Sequence, residues 1–175
     1  GAVDNVTTLT IAQSNGASFT GTVGAGTAGA LSVTDTQAGQ TVSFANAVDF
    51  TSVTTGATAY NLSFTGATTN VTAATTFANT GAVALGDGAG DALTFPGGVT
   101  ATAQTGAAGV TTGGTISSTD QPITLGDGDT GVTLSADTTI DTNATAGNTA
   151  DISLGGVTGG GNALTLETGN GVANA

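Results

Sequence analysis

The stretch Pro122-Ile123-Thr124-Leu125-Gly126 places two apolar residues around a threonine and is bounded by proline and glycine. This alternation is typical of a short β-strand with one buried face. The same apolar-x-apolar pattern recurs at Leu31/Val33, Leu62/Phe64, Leu93/Phe95 and Ile152/Leu154. The first residues of successive pairs are 31, 31, 30 and 29 positions apart. A repeat of this length indicates a solenoid, in which each coil buries its apolar residues against the neighbouring coils.

Each coil is predicted to contain three short strands joined by glycine-rich corners. A second apolar strand centre follows each pair within 6 to 12 residues, and a third precedes the next pair. Corners such as Gly86-Asp87-Gly88 suit tight turns, because glycine adopts positive φ without strain. No segment shows the sustained period of an amphipathic helix. The sequence therefore predicts an all-β fold, a parallel β-helix (β-solenoid) of about five to six coils of roughly 30 residues, forming a single domain over residues 1–175.

The 30-residue period also assigns individual side chains to positions in the coil. The first residues of the five pairs should form one internal stack, made of Leu31, Leu62, Leu93, Ile123 and Ile152. The hydroxyl residues beside apolar positions should point outward, because successive side chains of a strand point to opposite faces. They would form two surface ladders: Ser32, Ser63, Thr94, Thr124 and Ser153 in one, and Thr10, Ser43, Thr72, Thr100, Thr133 and Thr165 in the other.

Two other interpretations account for parts of the sequence. Intrinsic disorder would explain the 30 glycines, but the charged fraction of only 7% and the regular placement of apolar residues argue against it. An antiparallel sandwich, in which the N-terminal strand completes a neighbouring subunit, would also be all-β. The regular spacing of the apolar pairs favours the solenoid over the sandwich.

Composition argues against several classes of function. The chain has no Lys, Arg or His and a formal net charge of −12. Nucleic acid is therefore an implausible partner, because phosphate binding rests on Lys and Arg, and an anionic membrane would repel the chain. Activated nucleophiles rely on His, Lys or Cys, and none is present, so we expect no enzymatic activity. There is no cysteine for a disulfide and no 18-residue apolar run for a membrane-inserted helix.

Acidic side chains cluster in two glycine-rich corners. Asp87 and Asp91 lie in Gly86-Asp87-Gly88-Ala89-Gly90-Asp91, and Asp127 and Asp129 lie in Gly126-Asp127-Gly128-Asp129. Carboxylates combined with loop carbonyl groups are the ligands that Ca²⁺ prefers, so these four residues are the candidate calcium ligands. The alternative is ordinary turn chemistry, in which an aspartate accepts hydrogen bonds from backbone N–H groups nearby.

Three segments carry a family resemblance: Gly114–Gly126 (GTISSTDQPITLG), Val132–Thr142 (VTLSADTTIDT) and Asn162–Leu166 (NALTL). They resemble the β-strand repeats of filamentous-haemagglutinin-type adhesins and autotransporter passengers. The resemblance implies a right-handed parallel β-helix, export from the cell and a role at the cell surface. It is a resemblance of composition and repeat pattern, so it implies a fold more specifically than an activity.

The expected function is structural: an extracellular β-solenoid that forms or extends a filament or an adhesin stalk. Neither the first strand-like segment, Val6–Ile11, nor the last, Gly171–Ala175, shows a polar cap, so we expect a homopolymer built by end-to-end stacking. The alternative is a binding module for glycan or ice that uses an outward Ser/Thr ladder. Asn5, Asn61, Asn70 and Asn143 each fit the Asn-x-Ser/Thr pattern for glycosylation.

Overall fold

A computed structural model describes residues 1–105, 109–142 and 150–169. Within these residues the secondary structure consists of short strands and contains no helix. The strands are β1 (Thr8–Ile11), β2 (Ala17–Phe19), β3 (Gly29–Val33), β4 (Thr41–Phe44), β5 (Val48–Thr55), β6 (Asn61–Phe64), β7 (Thr68–Val71), β8 (Thr75–Thr76), β9 (Val83–Leu85), β10 (Ala92–Thr94), β11 (Val99–Ala101), β12 (Val110–Ser117), β13 (Ile123–Leu125), β14 (Val132–Asp141), β15 (Ile152–Leu154), β16 (Val157–Thr158) and β17 (Leu164–Glu167).

Every strand pairing is parallel, and the strands stack into three faces of a solenoid. Face A contains β7, β10 and β17 together with the first part of β5 and the last parts of β12 and β14. Face B contains β2, β4, β6, β9 and β16 together with the first parts of β12 and β14. Face C contains β1, β3, the last part of β5, β8, β11, β13 and β15. The predicted all-β parallel β-helix, with three short strands in each coil, is thus confirmed.

The predicted coil length of roughly 30 residues is wrong, because the coils are shorter. Paired residues on neighbouring coils are separated by 22 positions in Leu9↔Leu31 and by 24 in Val99↔Ile123. Across all pairings the separation ranges from 20, in Thr41↔Asn61, to 29, in Ile123↔Ile152. A coil of this length still accommodates three strands, because several strands have only two or three residues.

The predicted single stack of Leu31, Leu62, Leu93, Ile123 and Ile152 is also wrong. Leu31 lies on face C, Leu62 on face B and Leu93 on face A, so these three side chains belong to different columns. Only Ile123 and Ile152 are register partners. The inward direction was predicted correctly, since Leu31, Leu62, Leu93 and Ile123 are buried and Ile152 is partly buried.

Phenylalanine rings form a column in the core. Phe19, Phe44 and Phe64 are stacked nearly parallel, with ring centroids 4.8 and 5.1 Å apart and interplanar angles of 7° and 8°. Phe77 and Phe95 continue the column with tilted and edge-to-face contacts. Such pairs add about 0.5–1.5 kcal/mol each beyond the area they bury. The thin core is therefore held by side chains that contact their equivalents one coil above and below.

Candidate functional site

The Asp87–Asp91 segment forms a corner between face B and face A. Asp91 Oδ2 accepts hydrogen bonds from the backbone N–H groups of Asp87 and Gly88, both at 2.9 Å. The corner packs tightly against the next coil, where Thr115 N–H donates to the Asp91 carbonyl oxygen at 2.8 Å. The Asp91 carboxylate thus stabilises its own turn, as the turn-chemistry alternative predicts.

The Asp127–Asp129 segment forms a similar corner between face C and face B. Asp127 Oδ1 accepts hydrogen bonds from Asp129 N–H and Thr130 N–H, both at 2.9 Å. These backbone donors lower the pKa of Asp127 below its ordinary value of 3.8, because they stabilise the ionised carboxylate. The Thr130 side chain is buried beneath the turn and donates to the backbone carbonyl groups of Thr102 and Gln104. Asp127 therefore fixes the corner that carries it.

The structure does not bring the four candidate calcium ligands into one site. The two corners lie between different pairs of faces, and the side chains of Asp87 and Asp129 are on exposed residues. In the part of the chain that the structure describes, no three His, Cys, Asp or Glu residues are grouped so that they could hold a metal ion. Calcium binding at either corner, by Asp87 and Asp91 or by Asp127 and Asp129, stays a prediction.

The structure shows a third aspartate corner that the sequence analysis missed. Asp4 Oδ1 accepts hydrogen bonds from the backbone N–H groups of Asn5 (2.9 Å), Gly26 (2.8 Å) and Thr27 (3.2 Å). These donors, Gly26 first, lower the pKa of Asp4 below 3.8. Gly26 and Thr27 belong to the next coil, so Asp4 links two coils. Recognising this link from the sequence would have required the true coil length of about 22 residues.

Hydroxyl ladders exist, but their members differ from those predicted. On face C, register places Thr10 beside Ser32 and Ser32 beside Thr54, and it places Thr76, Thr100, Thr124 and Ser153 in line. The two runs meet where β8 lies beside β5, since Ala78 N–H donates to Thr55 Oγ1 at 2.7 Å. The predicted ladders mixed residues from three faces, for example Ser32 of face C with Ser63 of face B and Thr94 of face A.

Face A carries a groove in its first coils that the sequence analysis also missed. The groove has a volume of about 370 Å³. Its apolar lining includes Val23 and Val48, and its polar lining includes Asp49, Thr68, Asn70 and Thr94. Asn70 Nδ2 donates to Asp49 Oδ1 at 2.7 Å, so the amide and the carboxylate of neighbouring coils form a pair beside the groove.

The last described coil leaves apolar side chains exposed. Val157 on β16 and Leu166 on β17 lie in register with the buried residues Val132 and Ile140, yet they are 41% and 49% exposed. At the other end, Val3, Leu9 and Phe19 are only partly buried. The predicted last segment, Gly171–Ala175, lies outside the described residues, as does the glycosylation candidate Asn143.

Comparisons with protein-family models, with curated proteins and with solved structures find no match to this chain. None of the described residues belongs to a helix long and apolar enough to span a membrane.

Proposed function

We propose that this chain is a structural segment of an extracellular β-solenoid rod, a filament or an adhesin stalk, which grows by strand stacking at its ends. The observation that carries the proposal is the exposure of Val157 and Leu166, which occupy core positions of their columns. An apolar side chain at such a position is covered as soon as one more coil is added, and burying it stabilises the assembly by about 25 cal/mol for each Å² removed from water.

The backbone supports the same proposal. Among the described residues, β1 and β2 at one end and β15, β16 and β17 at the other each pair along one edge only. Their free N–H and C=O groups can template further parallel strands. Faces B and C end in strands of the same direction at both ends, and face A begins with the parallel bridge between Val3 and Val23, so a second copy can continue the coil in a head-to-tail arrangement, which generates a filament rather than a closed dimer.

Charge determines the conditions under which stacking should occur. Every copy carries a formal charge of −12 and no basic side chain, so copies repel one another at low ionic strength. Salt screens this repulsion over a Debye length of about 8 Å near 0.15 M. We therefore expect association to become stronger as sodium chloride is raised, which is opposite to the behaviour of an assembly held by salt bridges.

The proposal is tested by sedimentation velocity and negative-stain microscopy of the purified chain over a range of protein and salt concentrations. We expect rods of one solenoid width whose length increases with concentration. Leu166→Asp should shorten them, because it places a charge at the stacking surface. Thr124→Asp, a matched substitution on the side of face C, should leave rod length unchanged. A wild-type chain that stays monomeric throughout, or rods that Leu166→Asp leaves intact, would overturn the proposal.

A further inference from the structure

We propose that Asn15 is a site of spontaneous deamidation, which converts it to aspartate and isoaspartate in the folded protein. The backbone nitrogen of the next residue, Gly16, loses its proton to solvent base and attacks Cγ of the Asn15 side chain. The side-chain nitrogen takes up a proton and leaves as ammonia, and a succinimide ring remains. Water then opens the ring at either of its carbonyl groups. The net reaction consumes one water and releases one ammonia, so it needs no further reactant.

The glycine after Asn15 leaves the attacking nitrogen unhindered. Any other residue at that position carries a Cβ that crowds this nitrogen, whereas glycine has none and also adopts a wider range of backbone conformations. Asn15-Gly16 is the only Asn-Gly pair in the ranges that the structure describes, and Asn170-Gly171 lies outside them. The other described asparagines precede residues that have a Cβ, namely Val6, Ala47, Leu62, Val71, Thr80 and Ala163.

The side-chain amide of Asn15 is not held by the fold. Asn15 is exposed, and within the described part of the chain its side chain makes no hydrogen bond. Each of the other described asparagines uses its side-chain amide in at least one hydrogen bond: Asn5, Asn46, Asn61, Asn70, Asn79 and Asn162. The Asn15 amide can therefore turn toward Gly16 without breaking a hydrogen bond, whereas the other amides would have to break one first.

The attacking nitrogen is equally unconstrained. Gly16 has a φ of +93° and lies outside the strands, and its N–H donates no hydrogen bond to the residues that the structure describes. The residues on either side are fixed to the next coil, since Ser14 N–H donates to the Asp35 carbonyl oxygen at 3.0 Å and Ala17 is the register partner of Val42. Asn15 and Gly16 thus form an exposed link between two fixed points, and neither reacting group is held by a hydrogen bond.

Two Asp-Gly pairs in the described ranges provide a comparison within the chain. Aspartate before glycine can form the same succinimide by loss of water. However, Gly88 N–H donates to Asp91 Oδ2 at 2.9 Å, so the nitrogen that would attack Asp87 is held. Asp127 Oδ1 accepts hydrogen bonds from two backbone N–H groups at 2.9 Å, so that carboxylate is held as well. We expect Asn15 to react before either aspartate.

Conversion of Asn15 changes one end of the solenoid. Asn15 lies two residues before β2, an end strand that pairs along one edge only. Both products add a negative charge to a chain that already carries −12, and isoaspartate also adds one carbon to the backbone. Converted chains should therefore form shorter rods. This consequence rests on the proposed end-to-end stacking, whereas the deamidation itself does not.

Incubation of the full chain at mildly alkaline pH, followed by peptide mapping with mass spectrometry, tests the modification. We expect Asn15 to convert before any other described asparagine, to yield both products, and to convert faster as the pH is raised, because the attacking nitrogen must lose its proton. Asn15→Gln should abolish conversion at this position, since the longer side chain closes a larger ring slowly. Asn170→Gln is the matched control: it removes the other Asn-Gly pair and should leave conversion of Asn15 unchanged.

A synthetic peptide of residues 12–20 shows how fast the same sequence reacts without the fold. Asn15 that stays intact in the folded chain while the peptide converts completely would overturn the proposal, and so would conversion of Asn46 at the same rate as Asn15. Negative-stain microscopy of converted chains then tests the consequence, with Asn15→Asp as the variant that carries the added charge alone. Rods of unchanged length after complete conversion would contradict the consequence. A wild type that forms no rods would contradict the stacking and leave the deamidation result standing.

Discussion

Side chains of Asp and Asn at the corners of the solenoid hold the backbone of their own turn or of the next coil. Asp91 and Asp127 accept hydrogen bonds within their turns. Asn61 Oδ1 accepts from Ala82 N–H at 2.9 Å, and Asp137 Oδ1 accepts from Ala163 N–H at 2.8 Å, in each case one coil further along. These residues satisfy backbone donors that no strand partner reaches. Four of the twelve acidic side chains, those of Asp4, Asp91, Asp127 and Asp137, therefore have a structural role as acceptors for backbone N–H groups.

Asp127→Ala separates the turn role from the predicted calcium site. We expect the variant to melt at a lower temperature than the wild type in excess chelator, because Asp129 N–H and Thr130 N–H lose their acceptor. The lowered pKa of Asp127 means that this contribution is present above pH 3.8 and is lost as the pH falls through the lowered value. If calcium binds at this corner, adding it should raise the melting temperature of the wild type and not that of Asp127→Ala. An equal response of both chains would remove the calcium prediction here.

Gly114 is required by the geometry of the corner at Asp91. Its φ is +82°, and a Cβ at this position would lie 2.3 Å from the Asp91 carbonyl oxygen. We expect Gly114→Ala to lower the free energy of unfolding by about 2–4 kcal/mol, through strain and displacement of the neighbouring coil. Gly90→Ala is the matched control, since nothing lies within 4 Å of its added Cβ and its φ lies outside the left-handed region. Chemical denaturation measures both, and similar stability of the two variants would contradict the packing described for this corner.

Tyr60 should control stability at alkaline pH. Its side chain is buried, and burial raises its pKa from 10.0 to about 12. A raised pKa contributes stability that is fully present below pH 10 and is lost as the pH rises toward 12, because the unfolded chain releases the proton first. The loss is about 2 kcal/mol. The sequence has no Lys, Arg or Cys and only this tyrosine, so few other groups titrate in this range.

The measurement is the free energy of unfolding at pH 9 to 12 for the wild type and Tyr60→Phe. The wild type should lose stability across this range, and the variant should not. Parallel curves for the two proteins would show that Tyr60 is not the group responsible.

At the scale of strands, the spacing of the apolar pairs predicted the solenoid and its three strands per coil correctly. The coil length inferred from that spacing was too long. The first three intervals, of 31, 31 and 30 residues, each span one coil and one further strand, whereas the last, of 29 residues from Ile123 to Ile152, is a single coil. Val53 lies one coil of 22 residues above Leu31, and Leu62 follows nine residues later on the next face. The predicted inward or outward direction of the side chains is still correct, since it depends only on alternation within a strand. The predicted members of the hydroxyl ladders are wrong, because they depend on the register between strands.

The groove could not be predicted for the same reason. Asp49 and Asn70 are 21 residues apart and become neighbours only in the observed register. By contrast, the corners at Asp87–Asp91 and Asp127–Asp129 were identifiable because turns are local and glycine marks them directly. Whether such a carboxylate caps the turn or binds a metal depends on its neighbours in space, which local sequence does not specify.

Engineered disulfides test the register between strands. Thr100 and Thr124 are outward register partners on face C, and parallel strands about 4.8 Å apart suit a disulfide. We expect Thr100→Cys/Thr124→Cys to oxidise readily within one molecule. Thr94→Cys/Thr124→Cys follows the predicted 30-residue register, and it should not oxidise because Thr94 lies on face A. The chain has no native cysteine to interfere. Mass spectrometry under one redox buffer gives the oxidised fraction of each pair, and the reverse preference would contradict the assigned coils.

At the scale of the whole molecule, stability rests on the contact between one coil and the next, and the proposed stacking of copies would use the same kind of contact. Each coil covers the apolar residues of its neighbours, as the stacked rings of Phe19, Phe44 and Phe64 show. Stability of such arrays is close to a sum of contributions from coils and from the interfaces between them. An end that exposes core positions therefore lacks the stabilisation of one interface between coils. Val157 and Leu166 are exposed at such an end.

The most direct test of head-to-tail stacking is intermolecular disulfide formation in the double variant Ser18→Cys/Thr158→Cys. Ser18 is the outward residue of β2, the first strand of face B, and Thr158 is its counterpart on β16, the last described strand of that face. The two positions lie several coils apart in one molecule but become neighbours between stacked copies. Ser43→Cys/Ser63→Cys, a register pair within face B, is the positive control for oxidation inside one chain.

We expect oxidation of Ser18→Cys/Thr158→Cys near 0.15 M salt to give a ladder of covalent multimers on a denaturing gel. Leu166→Asp added to the same chain should abolish the ladder. A chain that remains monomeric under conditions in which Ser43→Cys/Ser63→Cys oxidises completely would contradict end-to-end stacking.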